Sequence, residues 1–188
     1  LWYRPSYFPV QGETTWRESC EREVGYVREA VGICDVSTLG KIDIKGKDAG
    51  AFLDLLYTNM FSTLKVGRVR YGLMLREDGH VMDDGTTARL GEEHFVMTTT
   101  TVAAGEVMKH MEFVSQGLRP DMDVRFASVT EQWAQFAVAG PKARELLNGL
   151  LDSPIDGESW PFMARGDVKV LGVAGRLFRI SFSGEHAY

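Results

Sequence analysis

The sequence is short of most residue patterns that announce a chemistry. Its 188 residues include only two cysteines, Cys20 and Cys34, too few for a disulfide framework. No CxxC pair occurs, and the four histidines (80, 94, 110 and 186) have no HExxH or similar spacing, so no metal is expected. The absence of a GxSxG elbow, a P-loop and a helix-opening GxGxxG excludes a familiar serine nucleophile and a nucleotide-binding Rossmann unit. Positive charge is not in excess: a net charge of −5 argues against nucleic acid or an anionic membrane surface as partner. No apolar run approaches the ~20 residues that span a bilayer. The opening, LWYRPSYFPVQGETTW, lacks the charged and apolar regions of a signal peptide. Cys20 falls between Trp16 and Val24 at helical spacing, and Cys34 sits in the apolar turn GICDV. Both read as buried, reduced thiols of an intracellular, cytoplasmic protein.

What is present is an ordinary globular composition, 44% apolar and 25% charged, in a length that suits one domain or two small ones sharing a core. Residues 1–14, rich in proline and aromatics, are expected to lie extended across the surface. Thr14 or Thr15 can cap a helix with Glu18 completing a capping box, followed by an apolar stripe of Trp16, Cys20, Val24, Val27 and Val31, with Gly32 as terminator. A strand, a glycine turn and an amphipathic helix then occur twice, in IDIKGKDAGAFLDLL (42–56) and FAVAGPKARELLNGL (136–150), with Pro141 in the first turn of the second helix. Further strands are read at 94–99, 124–128, 132–139, 167–170 and 174–182, and a helix at 103–113. Strands joined mostly by hairpins, with a few interspersed helices, predict an α+β fold with mainly antiparallel sheets. The apolar strand ending near Phe182 runs straight into SGEHAY, as in a stretch cut from a larger polypeptide.

The most informative stretch is YGLMLREDGHVMDDGTTARL (71–90). Asp78-Gly79 between two strand-like runs reads as a β-hairpin. Side chains alternate along a strand, so the adjacent acids point to opposite faces. Asp83 shares its face with Thr87 and Arg89 and is expected in a solvated or paired setting. Asp84 shares its face with Met82, Ala88 and Leu90 and is expected to face the interior. A carboxylate there is costly unless paired or hydrogen-bonded, which suits a polar ligand site or a structural bond to a neighbouring loop. The tract Thr98-Thr99-Thr100-Thr101 follows a strand and precedes a helix. It is either a strand end running into a helix cap or a row of hydroxyls facing a ligand.

Five segments together, VGICDVSTLGKIDIKGKDAGAFL, RYGLMLREDGHVMDDGTTARL, FVMTTTT, VAGPKA and RISFSGEHAY, resemble the tetrahydrofolate-dependent aminomethyltransferase family over essentially the whole chain. Within that family, CDVSTLGKI, DDGTT, MTTTT and SVTEQWAQFAVAGP are most similar to the C-terminal folate-binding region of sarcosine oxidase alpha subunits. The resemblance implies the aminomethyltransferase folate-binding fold without its C-terminal barrel, in two intertwined lobes, with about 48–125 inserted between 1–47 and 126–188. It implies tetrahydrofolate as cofactor and Asp84 as the catalytic acid near its reactive nitrogens. Tyr71, Asp84, Thr86, Thr98, Thr99 and Phe182 are implied as cofactor-binding. Thr98 or Thr99 stands where the glycine-cleavage T-protein has an asparagine, and Phe182 replaces the tyrosine of that protein's GYTGE motif. The family's folate-clamping glutamate would follow Tyr188.

The activity implied is trapping of the one-carbon unit from N-methyl amine oxidation as 5,10-methylenetetrahydrofolate. Flavin and NAD would sit in other parts of a heterotetrameric complex, whose other subunits would be this chain's partners. The stretch alone is then expected to be inactive. Two alternatives stand beside this reading. One is a stand-alone aminomethyltransferase of the glycine-cleavage type, against which CDVST in place of CDVSH-type wording argues, together with the threonine tract 98–101. The other is a non-catalytic folate-binding or scaffold module.

Overall fold

A computed structural model of the chain describes every residue except Leu1, Trp2 and Arg4. Among the described residues it is an α+β structure with antiparallel sheets and four α-helices, organised in two compact units. One unit comprises residues 37–134 with 163–165, and the other 1–36, 135–162 and 166–188. The stretch 48–125 thus falls inside a wider unit, because the strand at 40–45 is central to its sheet and the strand at 125–128 pairs with it.

The 37–134 unit is built on a five-stranded sheet of order β3-β4-β5-β2-β6, comprising β2 (Gly40–Lys45), β3 (Val69–Leu75), β4 (Val81–Gly91), β5 (His94–Thr99) and β6 (Arg125–Ser128). All four pairings are antiparallel. One face carries Ile42, Ile44, Met74, Phe95 and Met97, all at most 1% exposed. They meet Phe52 and Leu53 of α2 (Ala49–Leu56) and Val107 and Met111 of α3 (Ala104–Phe113) in a single cluster. Each of these larger side chains gains about 1.5–3 kcal/mol from burial. The β3–β4 hairpin turns at Gly79, whose φ of +83° a side chain would disfavour.

Within this sheet Asp43 of β2 is held by His94, whose Nε2 lies 2.5 Å from its Oδ1, and by Lys45, whose Nζ lies 3.2 Å from its Oδ2. Burial alone would raise the Asp43 pKa, but the hydrogen bonds from His94 and Lys45 override it and hold the carboxyl below its ordinary value. A depressed folded-state pKa gives stability that is present above the unfolded value and lost as pH falls through the folded one. Denaturation followed in urea from pH 5 downward should therefore show wild-type stability falling more steeply than that of Asp43→Asn. Parallel slopes would remove Asp43 from the acid response.

The other unit has α1 (Trp16–Glu29), capped by Thr15 in a complete capping box with Glu18. Its β-structure consists of β1 (Gly32–Asp35) paired with β7 (Phe136–Ala139), and β8 (Arg165–Val170) paired with β9 (Val173–Phe178). Val138, Leu147 of α4 (Ala143–Asn148), Leu177 and Tyr188 belong to its core. The expected apolar stripe of α1 is not buried as such: Trp16 and Val24 are exposed, and the one fully buried position is Ser19. Ser19 donates to Glu13 at 2.6 Å, and Arg22 also binds Glu13, so a polar seam ties residues 5–14 to the helix. The part of the 1–14 stretch at Leu1, Trp2 and Arg4 lies outside the described residues. Gly32 is a strand residue rather than a helix terminator; a Cβ there would meet Val27 Cγ2 at 2.5 Å. Cys20 is half-buried and Cys34 exposed, both as free thiols, so neither is the buried packing residue expected.

The two strand–glycine–helix segments are alike in detail. Gly46 and Gly140 have φ of +134° and +129°, and the next residue but one opens the helix in each, Asp48 and Lys142. A Cβ would strike backbone oxygen in both places, Asp123 O at 2.1 Å and Ala30 O at 2.5 Å. Pro141 stands just ahead of α4 rather than within it. β9 ends at Phe178, so residues 179–182 leave the strand expected to continue to Phe182.

Candidate functional site

The strand β4 pairs with β3 so that Tyr71 opposes Thr86 and Leu73 opposes Asp84. Tyr71, Asp84 and Thr86 therefore share one face of the sheet, the face away from Phe95 and Met97. A long aromatic side chain reaches its diagonal cross-strand neighbour. The Tyr71 hydroxyl accordingly donates to Asp84 Oδ2 at 2.6 Å. This bond raises the Tyr71 pKa above the ordinary tyrosine value, since ionising the phenol would lose it beside a negative charge. Both residues are exposed, with Tyr71 46% accessible.

The facing of the acid pair is the reverse of the expectation. Asp83 is 6% exposed and turned to the core side, whereas Asp84 is exposed. The two acids do point oppositely, but the apolar face is the other one, and Met82, expected beside Asp84, packs against the core cluster at the register shift. Ala88, on the Asp84 face, is 2% exposed, so that face is covered at one end of β4 and open at the other. β4 is 11 residues long, roughly 36 Å at ~3.3 Å per residue, and it outruns its cover. Asp83 Oδ2 and Oδ1 accept from the Thr100 amide at 3.1 and 3.3 Å. The structural bond to a neighbouring loop thus belongs to Asp83. Nearby, burial pushes the Tyr57 hydroxyl far above its ordinary pKa, so this phenol stays neutral within the core.

The threonine tract divides by parity. Thr98 lies on the Tyr71–Asp84 face, and its hydroxyl reaches across to β4. It accepts from Thr86 N at 3.1 Å, approaches Thr86 Oγ1 at 3.0 Å and donates to Thr86 O at 3.2 Å. Thr99 lies on the opposite face, 2% exposed, with its hydroxyl donating to Thr100 O. It packs against Gly40, where an added Cβ would lie 2.0 Å from Thr99 Oγ1. A packing position explains Thr99 without a ligand. Thr101 binds Thr38, and the residue capping α3 is Ala103, so no threonine serves as helix cap. Four of the residues singled out in the sequence, Tyr71, Asp84, Thr86 and Thr98, therefore converge on one open patch. Phe182 belongs to the other unit, where it is wholly exposed.

Sequence reasoning gave Asp83 no part beyond a solvated or paired acid. It also overlooked Lys41, which opposes Thr98 in register and is 5% exposed. The Lys41 ammonium donates to Ser37 O and Leu39 O at 3.0 and 2.9 Å. Strict alternation with Ile42 and Ile44 could have placed it on the Asp84 face.

An antiparallel α+β fold presenting this face belongs to a known class. The chain is a member of the GCVT N-terminal domain family, which matches residues 1–188. Its similarity then narrows to one kind of protein: it is 59% identical, over 190 residues, to the sarcosine oxidase subunit alpha of Rhizobium meliloti (strain 1021). That alignment covers 100% of this chain and 19% of the relative, so the chain spans about a fifth of the relative's length. Among solved structures, the glycine cleavage system aminomethyltransferase T from Bartonella henselae matches with a TM-score of 0.74 at 22% identity, covering 88% of this chain and 43% of that one. The heterotetrameric sarcosine oxidase from Corynebacterium sp. U-96, in complex with pyrrole 2-carboxylate, matches at 0.59 and 12% identity over 91% of this chain and 80% of that one. These two likenesses establish the fold.

Proposed function

We propose that the chain is the folate-binding region of a sarcosine oxidase alpha subunit. In this role it traps the one-carbon unit of N-methyl amine oxidation on tetrahydrofolate as 5,10-methylenetetrahydrofolate. The observation that carries the reading is the Tyr71–Asp84 pair, exposed on a sheet face in a chain so similar to an enzyme subunit. The donor set fits such a ligand. Asp84 uses one oxygen for Tyr71 and keeps acceptor capacity for N–H groups, and the Tyr71 ring offers a flat apolar surface to a pterin. Bound tetrahydrofolate supplies two amine nitrogens as nucleophiles for the one-carbon unit.

The protein's share is orientation and proton handling. Tyr71 fixes the Asp84 carboxylate in direction, so that the free oxygen can accept a hydrogen bond or proton from an attacking amine. Holding nucleophile and electrophile together supplies most of the remaining acceleration by proximity. Flavin and NAD belong to other parts of the complex in this reading. Other sarcosine oxidase subunits are its partners, and the setting is cytoplasmic. Among the described residues no helix is long and apolar enough to cross a membrane.

Calorimetric titration with tetrahydrofolate tests this, on the chain alone and on the longest natural polypeptide that carries it, each beside Asp84→Ala. Saturable binding that weakens about tenfold or more in the variant is expected, the size of one charge-assisted hydrogen bond. Absence of binding by the long polypeptide would overturn the reading.

A further inference from the structure

The registered pairing of β4 with β5 covers Thr87↔Met97 through Gly91↔His94 and does not extend to residues 83–86. Beyond that point the two strands meet through side chains and through the close approach of the Thr98 carbonyl to Gly85. On one face the Thr98 hydroxyl takes the place of backbone ladder bonds to both Thr86 N and Thr86 O. On the other, the Asp83 carboxylate reaches past the end of β5 to the Thr100 amide. We propose that Asp83 is a positioning residue for the Tyr71–Asp84 site: by holding the Thr100 amide it fixes the splay of β4 from β5, and with it the direction in which Asp84 points. The inference rests on the function proposed above.

The physical case starts from burial. Asp83 is 6% exposed on the sheet's core face, where Met74 opposes it. A carboxylate taken from water into such a place is costly, and an apolar residue would fill it more favourably unless the charge has a task. Its task in the structure is the Thr100 N–H, a donor just past the end of β5. Because successive strand side chains point oppositely, a backbone rotation that releases Asp83 from below swings Asp84 away from Tyr71 above. On the β3 side the register runs unbroken from Val69↔Ala88 to Met74↔Asp83 and shifts just beyond, between Met74 and Leu75, so Asp83 is the last residue of β4 in that register and the Thr100 bond anchors its free flank. Tyr71 and Asp84 meet at 2.6 Å, a distance that tolerates little displacement.

The test uses the complete enzyme assembly, with Asp83→Asn and Asp83→Ala beside wild type. Asparagine keeps an oxygen to accept from Thr100; alanine does not. For Asp83→Ala, one-carbon transfer should fall about 30- to 100-fold with the KM for tetrahydrofolate changed less than about threefold, the signature of misplacement by an ångström or so. Asp83→Asn should restore most of the rate. A second readout is independent of folate. The alkaline ultraviolet titration of Tyr71, isolated by subtracting Tyr71→Phe, should move back toward the ordinary tyrosine value in Asp83→Ala and stay raised in Asp83→Asn. An unmoved Tyr71 titration in Asp83→Ala overturns the inference, as does a rate loss no larger than the unfolded fraction measured by circular dichroism. If wild type transfers no one-carbon unit to tetrahydrofolate, the proposed function fails, and the Tyr71 titration still decides the role of Asp83.

Discussion

Asp84→Asn should slow one-carbon transfer about 100-fold or more while leaving the thermal unfolding midpoint within a degree or two of wild type, because a positioned acid or base contributes about 10²–10⁴ in rate. An exposed substitution of this kind changes stability by about 0.5 kcal/mol or less. Asparagine keeps an oxygen to accept from the Tyr71 hydroxyl, so the geometry of the pair survives and only the charge and proton capacity are lost. The pair also provides an internal check. The Tyr71 pKa is raised chiefly by the hydrogen bond to the Asp84 carboxylate. Neutralising that partner should lower it again, and a tyrosine titration reads this whether or not folate is present. Transfer assayed in the complete enzyme separates two outcomes. A large rate loss with folate binding retained is the behaviour of a proton-handling carboxylate. Unchanged transfer and unchanged binding would mark the pair as surface structure and sink the catalytic assignment.

Local features of the fold were legible in the sequence because they depend on few residues. Thr15 and Glu18 form their capping box within one turn, Asp78-Gly79 turns its hairpin, and the paired glycines 46 and 140 recur where the backbone needs positive φ. The facing of Asp83 and Asp84 was not legible, and the reason is physical. Alternation states which residues share a face, but the face that is covered depends on elements distant in sequence, here α2 and α3. Ala88 signalled an apolar face correctly for its own end of β4, and the signal fails where the strand extends past its cover. The stripe of α1 fails for a related reason. Its helical period is genuine, yet the segment before the helix packs through Glu13 onto Ser19 and Arg22, so a polar side is the one occupied. In the threonine tract, composition placed four hydroxyls together, and only pairing in register shows that Thr98 and Thr99 serve opposite faces.

Gly85→Ala should be the most disruptive small substitution in the hairpin, costing about 1–3 kcal/mol of stability, the range for forcing a methyl into a filled space. Gly85 opposes Gly72 across the β3–β4 ladder and lies on the core side of β4. A Cβ at Gly85 would sit 2.0 Å from Thr98 O and 3.0 Å from Thr98 C. Both contacts are backbone, so no rotamer change relieves them, and β5 itself must move. That movement pulls Thr98 from Thr86, where its hydroxyl makes the bridging bonds, and stretches the Asp83–Thr100 contact one step further along. The effect therefore has two parts that can be measured apart: a lowered urea midpoint, and a loss of tetrahydrofolate affinity that persists under conditions where the variant is fully folded. A variant with normal midpoint and normal affinity would show that β4 and β5 have room to separate at this point. That result would count against a rigid, preorganised Tyr71–Asp84 face. The opposite result would explain why glycine, rather than a β-branched residue, stands between the acid pair and the threonines in a strand that otherwise favours bulk.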